Sequence, residues 1–265
     1  MDSRQDVLVR PESNEFQELL PSIPSERDAM NLPLHLYKGI WYRAHSLEDM
    51  MGFQRHFQAL DTDIILATAP KSDTTWLKSV VFAVSHRSQN NKFPDLTSSH
   101  DPPRIFATHV PYFMLPESVR TSKCRMIYLC RNPKDIFKSF ERFYKGIEMF
   151  GPCWEQALEY WKLSTEKPEV LFLKFEDLKA DINIQLKRIA EHLGCPFSAE
   201  EENRGVIEDI ANLCSFHHLS NLEVKKTGEG CFPQVENNAF FRKGEVGDWM
   251  NILTPSIVEK LDQVV

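Results

Sequence analysis

Four clusters of polar residues carry the chemistry open to this chain. The first, Pro70-Lys71-Ser72-Asp73-Thr74-Thr75-Trp76, links the apolar run DIILATA (63–69) to TTWLKSVVFAV, a segment of helical spacing. A lysine and hydroxyls at a helix start suit an anion, because the first turn has unpaired N–H groups and the helix dipole favours negative charge there. The second is His109 in ATHVP, where a neutral imidazole could act as a general base. The third is Arg131 in CRNPKD, eight residues before Ser139. If Pro133 opens a helix, Ser139 lies nearly two turns along it, and guanidinium and hydroxyl could share one phosphate. The fourth is FFRKGEVGDW (240–249), where Arg242, Lys243 and Gly244 form a basic turn. Its glycine would admit a phosphate close to the backbone, and an aromatic could stack on a base. Taken singly, each cluster has a plainer reading: an ordinary strand-to-helix turn, a core histidine, a surface arginine with a solvated serine, a charged loop.

Positioning these clusters falls to four short apolar runs, DIILATA (63–69), RIFATHV (104–110), RMIYLC (125–130) and VLFLKF (170–175). Each is followed by a segment of helical spacing: TTWLKSVVFAV, LPESV, KDIFKSFERFY and INIQLKRIAEHL. Strands apolar along their whole length, alternating with helices, predict an α/β fold: a single domain with a central parallel sheet flanked by helices. In such sheets ligands bind beyond the C-terminal strand ends, so 70–75, 108–111 and 131–134 are expected to form the floor of one site. Residues 1–33 read as a loosely packed N-terminal arm with a short helix around Phe16 to Leu20, ended by Pro21 and Pro24, and 34–265 as the domain. HLYKGIWYR (35–43) reads as a strand-like run, and SLEDMMGFQRHF as a helix N-capped by Ser46.

A net charge of −7 argues against the basic face of a nucleic-acid binder, while leaving room for a local anion pocket. Six cysteines without a C-x-x-C pair suggest neither a disulfide framework nor a zinc site. His217 and His218 lack partners at ligand spacing, so one is expected to face solvent and the other to pack. The N-terminus has no apolar core of a secretory signal, no apolar run approaches the ~18 residues of a membrane span, and no N-x-S/T sequon occurs. An intracellular, reducing setting without a membrane partner is the expectation.

The order PKSxTTW, THVPY, CRNPKDxxxS, FRKGxxGDW resembles the cytosolic sulfotransferase family, and LPESV, FEDLK, CPFS and LSNLEV resemble its plant branch. The resemblance runs from about Asp61 to Val265. It implies a P-loop-like sulfotransferase fold, and transfer of a sulfuryl group from 3′-phosphoadenosine 5′-phosphosulfate (PAPS) to a hydroxyl or amine of a small acceptor, without a metal. Lys71 would stabilise the leaving phosphate; Ser72, Thr74, Thr75 and Trp76 would complete the 5′ loop and adenine contacts; His109 would take the acceptor's proton. Arg131, Ser139, Arg242, Lys243 and Gly244 would bind the 3′-phosphate, with Ser215, Phe216 and Phe241 near the nucleotide. The plant branch permits flavonoid, steroid, hormone or glucosinolate-precursor acceptors. Trp41, Met50, Met51, Phe53, Tyr112 and Phe113 are candidates for an apolar acceptor pocket or for ordinary core.

Departures from the pattern bear on activity. Asp73 stands where the family has glycine, and Phe175 where a tyrosine is common; by the same resemblance the intervals near 88–104 and 140–151 and the C-terminus are expected to be shortened. At ~4 Å and a dielectric of ~20, the repulsion between Asp73 and each unit of phosphosulfate charge is about 4 kcal/mol before screening. Asp73 is also placed to N-cap the following helix and take the donors an anion needs. A degenerate, catalytically impaired relative that acts as a nucleotide-binding or interaction protein is therefore a second reading. A kinase is a third, since Lys71-Ser72 matches the end of a G-x-x-x-x-G-K-S loop, although no glycine lies between Gly52 and Gly146.

Overall fold

The computed structural model describes residues 14–28, 31–87, 103–136, 146–221, 245–251 and 253–263. Its centre is a four-stranded sheet in the order β5-β4-β6-β7, all parallel: β4 is Ile64–Thr68, β5 Ile105–Thr108, β6 Arg125–Cys130 and β7 Val170–Lys174. The four apolar runs account for all four strands, each within two residues of its expected ends.

The inner strands β4 and β6 read as continuous apolar runs because both of their faces are buried, whereas the edge strands β5 and β7 are only partly covered. On one face Ile64, Leu66, Ile127, Leu129 and Leu173 pack with Leu77, Val80, Val81 and Val84 of helix Thr74–Ser85, and with Leu186, Ile189, Ile207 and Ile210. The spacing i, i+3, i+4, i+7 along that helix puts its four aliphatics on a single stripe. On the other face Ile65, Ala67, Met126, Tyr128 and Val170 meet Leu47, Met50 and Met51 of helix Ala44–His56 and Tyr160 of helix Cys153–Glu166. Tyr128 stacks on Tyr160 with ring centroids 4.4 Å apart, filling the middle of this layer.

Four readings change. The run 35–43 is not one strand: β2 (Pro33–Tyr37) and β3 (Ile40–Tyr42) form an antiparallel hairpin, with β1 (Ser25–Arg27) added beyond β2. Lys38 (φ 51°) and Gly39 (φ 83°) both take left-handed backbone, which is what a tight two-residue hairpin turn demands. Helix Ala44–His56 starts before Ser46; its N-cap is Arg43, with no side-chain cap. His217 and His218 are both exposed. The described part of the arm is packed, since Phe16 is buried among Tyr42, Leu47 and their neighbours.

Candidate active site

β4 lies inside the sheet and the chain leaves it to opposite sides, to β5 and then to β6. This makes a topological switch point, and the turns after β4, β5 and β6 open beside one another at the C-terminal edge, where a ligand crevice is expected. Lys71, His109 and Arg131 each sit one to three residues past their strand.

After β4 the turn is tight. Lys71 (φ 67°) and Asp73 (φ 60°) are left-handed, and the Ser72 N–H donates to the Ala69 carbonyl at 3.2 Å. This curl buries Ser72 completely, and its hydroxyl finds no hydrogen-bond partner among the described residues. A buried hydroxyl without a partner, beside a helix start with its own unpaired N–H groups, is a donor set in search of an acceptor.

The capping expected of Asp73 does not occur. It occupies the N-cap position, but its carboxylate makes no cap hydrogen bond and instead forms an ion pair with Arg131. Residue 73 is left-handed, and its side chain meets Arg131 after β6 rather than the N–H groups of its own helix. Arg131 is 7% exposed; Nη1 meets Asp73, Nη2 donates to the Glu245 carbonyl at 2.7 Å, and Nε has no partner among the described residues. Its guanidinium carbon lies 4.4 Å from the Phe175 ring centre, and Trp76 meets the same ring edge-on with centroids 5.7 Å apart. Phe175 is thus a buried platform that aligns Arg131.

Trp76 also donates through its indole N–H to the Cys214 carbonyl at 2.8 Å, which fixes Ser215 and Phe216 beside the helix start. The Ser215 hydroxyl accepts from the His218 N–H at 3.2 Å, so it caps the next helix. Ser139, Phe241, Arg242, Lys243 and Gly244 lie outside the described residues. The chain just beyond Gly244 nevertheless reaches the crevice, through Glu245 on Arg131 and through Asp135. The Asp135 carboxylate, 3% exposed, accepts from the N–H groups of Gly247 (3.0 Å) and Trp249 (3.2 Å). Asp135→Ala is expected to lower stability by about 2 to 4 kcal/mol in urea unfolding, because a buried and a half-buried N–H group lose a charged acceptor.

The His109 ring is oriented by Nδ1, which lies 2.8 Å from the Thr68 carbonyl. A carbonyl only accepts, so Nδ1 carries the proton and the lone pair of the neutral ring sits on Nε2. Burial pulls the imidazole pKa below its ordinary value, against the opposing effect of the Thr68 bond. Behind the ring, Gln156 donates to the His109 carbonyl at 2.7 Å and accepts from the Tyr128 hydroxyl at 3.3 Å. Phe150 tilts over the imidazole at 5.6 Å. Of the residues considered for an acceptor pocket, Met50 and Met51 are core and Phe113 is exposed.

The family model for the sulfotransferase domain matches residues 94–140 and 137–265. Cytosolic sulfotransferase 5 of Arabidopsis thaliana is 39% identical over 303 residues, covering 96% of this chain and 94% of that protein. The chain belongs to the sulfotransferase family. A solved sulphotransferase of Arabidopsis thaliana superposes with a TM-score of 0.73 at 31% identity, covering 96% of this chain and 93% of that one. A mouse sulfotransferase complexed with PAP gives 0.70 at 29%, covering 87% and 92%.

Among the described residues of this sulfotransferase there is no cluster of His, Cys, Asp and Glu able to hold a metal ion, and no helix long and apolar enough to cross a membrane. Thr68, Asp135, Gln156 and Phe150 were missed from the sequence. Asp135 had a signal, lying inside CRNPKD, whereas the others become visible only through their contacts.

Proposed function

We propose that this chain transfers a sulfuryl group from PAPS to a hydroxyl of a small organic acceptor. His109 serves as the base and Lys71 faces the leaving phosphate. The observation that carries the reading is the His109 tautomer: its Nδ1 proton is committed to Thr68, leaving Nε2 as a proton acceptor at the same sheet edge as the anion-binding turn. The residues fit a phosphorylated donor in their unpartnered donors, the Ser72 hydroxyl and Arg131 Nε, and in the helix start at Thr74. When bound, such a donor supplies the activated sulfuryl group.

The chain's own part is to hold the donor's anionic groups with Lys71, Ser72, Thr74, Thr75 and Arg131, to orient the acceptor hydroxyl, and to receive its proton at Nε2. Phe150 over the imidazole favours an acceptor with an apolar body. Ser139, Arg242, Lys243 and Gly244 complete the 3′-phosphate contacts in this reading, with Phe241, Ser215 and Phe216 toward the base. The relatives' names favour a cytoplasmic setting. Calorimetry with adenosine 3′,5′-bisphosphate, followed by sulfate transfer to a panel of phenolic and steroidal acceptors, tests the proposal. Micromolar binding and turnover with at least one acceptor are expected; a folded chain that neither binds nor turns over refutes it.

The ion pair between Asp73 and Arg131 favours a second reading, a catalytically impaired relative that acts as a nucleotide-binding or interaction protein. Binding of the bisphosphate without turnover of any acceptor distinguishes it.

A further inference from the structure

We propose that Thr68 is a positioning residue whose hydroxyl links the His109 imidazole to the Thr74 hydroxyl, joining the base to the anion-binding turn. The inference rests on the reading of His109 as the base. Thr68 is the last residue of β4 and is fully buried. Its Oγ1 lies 2.6 Å from Thr74 Oγ1 and 3.2 Å from His109 Nδ1, while its carbonyl takes the closer bond from Nδ1 at 2.8 Å.

Counting protons gives the contact a direction. Nδ1 must donate, because the carbonyl beside it can only accept, so Thr68 Oγ1 is the second and longer acceptor of the same N–H. The Thr68 hydroxyl proton is then available for Thr74 Oγ1, the only other partner within its reach among the described residues. Thr74 receives that bond, which leaves its own proton for an acceptor beyond the turn, where an anion at the helix start would sit. Three donors point the same way, from imidazole to anion site.

No proton travels along this chain; it conveys polarisation. When Nε2 takes up a proton, the charged ring becomes a stronger donor at Nδ1, and each hydroxyl in turn becomes a stronger donor to the next group. The device strengthens the hold on negative charge at the turn as the base becomes cationic. Two changes at opposite ends of a transfer are thereby linked through one buried side chain.

The test uses three single variants of the full chain: Thr68→Val, which keeps the shape and removes the hydroxyl, Thr68→Ser, which restores it, and Thr74→Ala, which cuts the far end. The nitrogen resonances of the His109 imidazole are recorded without nucleotide. The Nδ1 signal is expected to move in Thr68→Val and in Thr74→Ala, although residue 74 does not touch the ring, and to match the wild type in Thr68→Ser. A Thr74→Ala chain, folded by its amide spectrum, whose His109 signals superpose on the wild type overturns the relay. In turnover, Thr68→Val is expected to lose about tenfold in kcat with the donor KM within about twofold, and Thr68→Ser to recover it. An unchanged kcat in Thr68→Val also overturns the proposal. A wild type without sulfuryl transfer overturns the functional reading instead, and the nucleotide-free spectra still decide the relay.

Discussion

His109→Ala is expected to lower kcat by about 10²- to 10⁴-fold while changing the affinity for adenosine 3′,5′-bisphosphate by less than about twofold. The ring sits past β5 and reaches the turn only indirectly, through Thr68, so its loss removes the proton acceptor and leaves the phosphate contacts of the turn itself standing. The pH profile supplies a second arm. The base works as the neutral ring, and burial holds its pKa below the ordinary imidazole value, so activity is expected to fall on the acid side, at lower pH than for an exposed histidine. The sign for stability is the same. Between the folded and unfolded values the unfolded chain binds more protons at this residue, so acid favours unfolding. His109→Ala is expected to remove the acid limb that belongs to this group from both curves, and steady-state kinetics with urea unfolding at each pH would measure it. A variant that keeps its turnover would eliminate His109 as the base.

Asp73→Gly is expected to raise bisphosphate affinity about tenfold or more and to lower the stability of the nucleotide-free chain. Arg131 and Asp73 are both largely buried, with side chains 6% and 19% exposed, so their pairing is little screened by water. Removing Asp73 leaves a buried guanidinium in search of an anion, a change that costs about 3 to 5 kcal/mol in comparable buried pairs. Glycine returns up to about 1 kcal/mol, since residue 73 has a φ of 60° that glycine adopts without strain. A nucleotide phosphate would then meet an unclaimed cation and no competing carboxylate. Asp73→Asn separates charge from size, and should show most of the gain in affinity. Calorimetry on the three chains decides the matter: equal affinities would mean that Arg131 does not contact the ligand's phosphate.

Much of the scaffold was legible because its inner strands β4 and β6 are buried on both faces, and an apolar run bounded by polar turns has few other uses. The crevice followed from the same pattern, as Lys71, His109 and Arg131 come after strands whose C-terminal ends must adjoin in a parallel sheet. What resisted was local backbone choice. Lys38-Gly39 breaks a run that otherwise reads as one strand, because two left-handed residues in succession leave little trace when only one is glycine. Asp73 was recognisable as out of place, but its partner was not. Helix capping is a local habit of aspartate, whereas the bond to Arg131 spans 58 positions and depends on the left-handed turn that re-aims the side chain. Thr68 and Gln156 were silent for a related reason. A buried threonine at a strand end and a glutamine on a helix look ordinary until their neighbours are known.

The attachment of Glu245, Gly247 and Trp249 to Arg131 and Asp135 has a consequence for a chain emerging from the ribosome. All four sheet strands have been made by Lys174, so the sheet can close early, with the turn after β4 already shaped. The carbonyl that orients Arg131 and the N–H groups that satisfy Asp135 arrive 112 to 114 positions after their partners. At ~5–20 residues per second, several seconds separate a formed sheet from a finished crevice. During that interval Asp135 lacks its two N–H partners, and a nascent chain should hold nucleotide poorly until Glu245, Gly247 and Trp249 have docked.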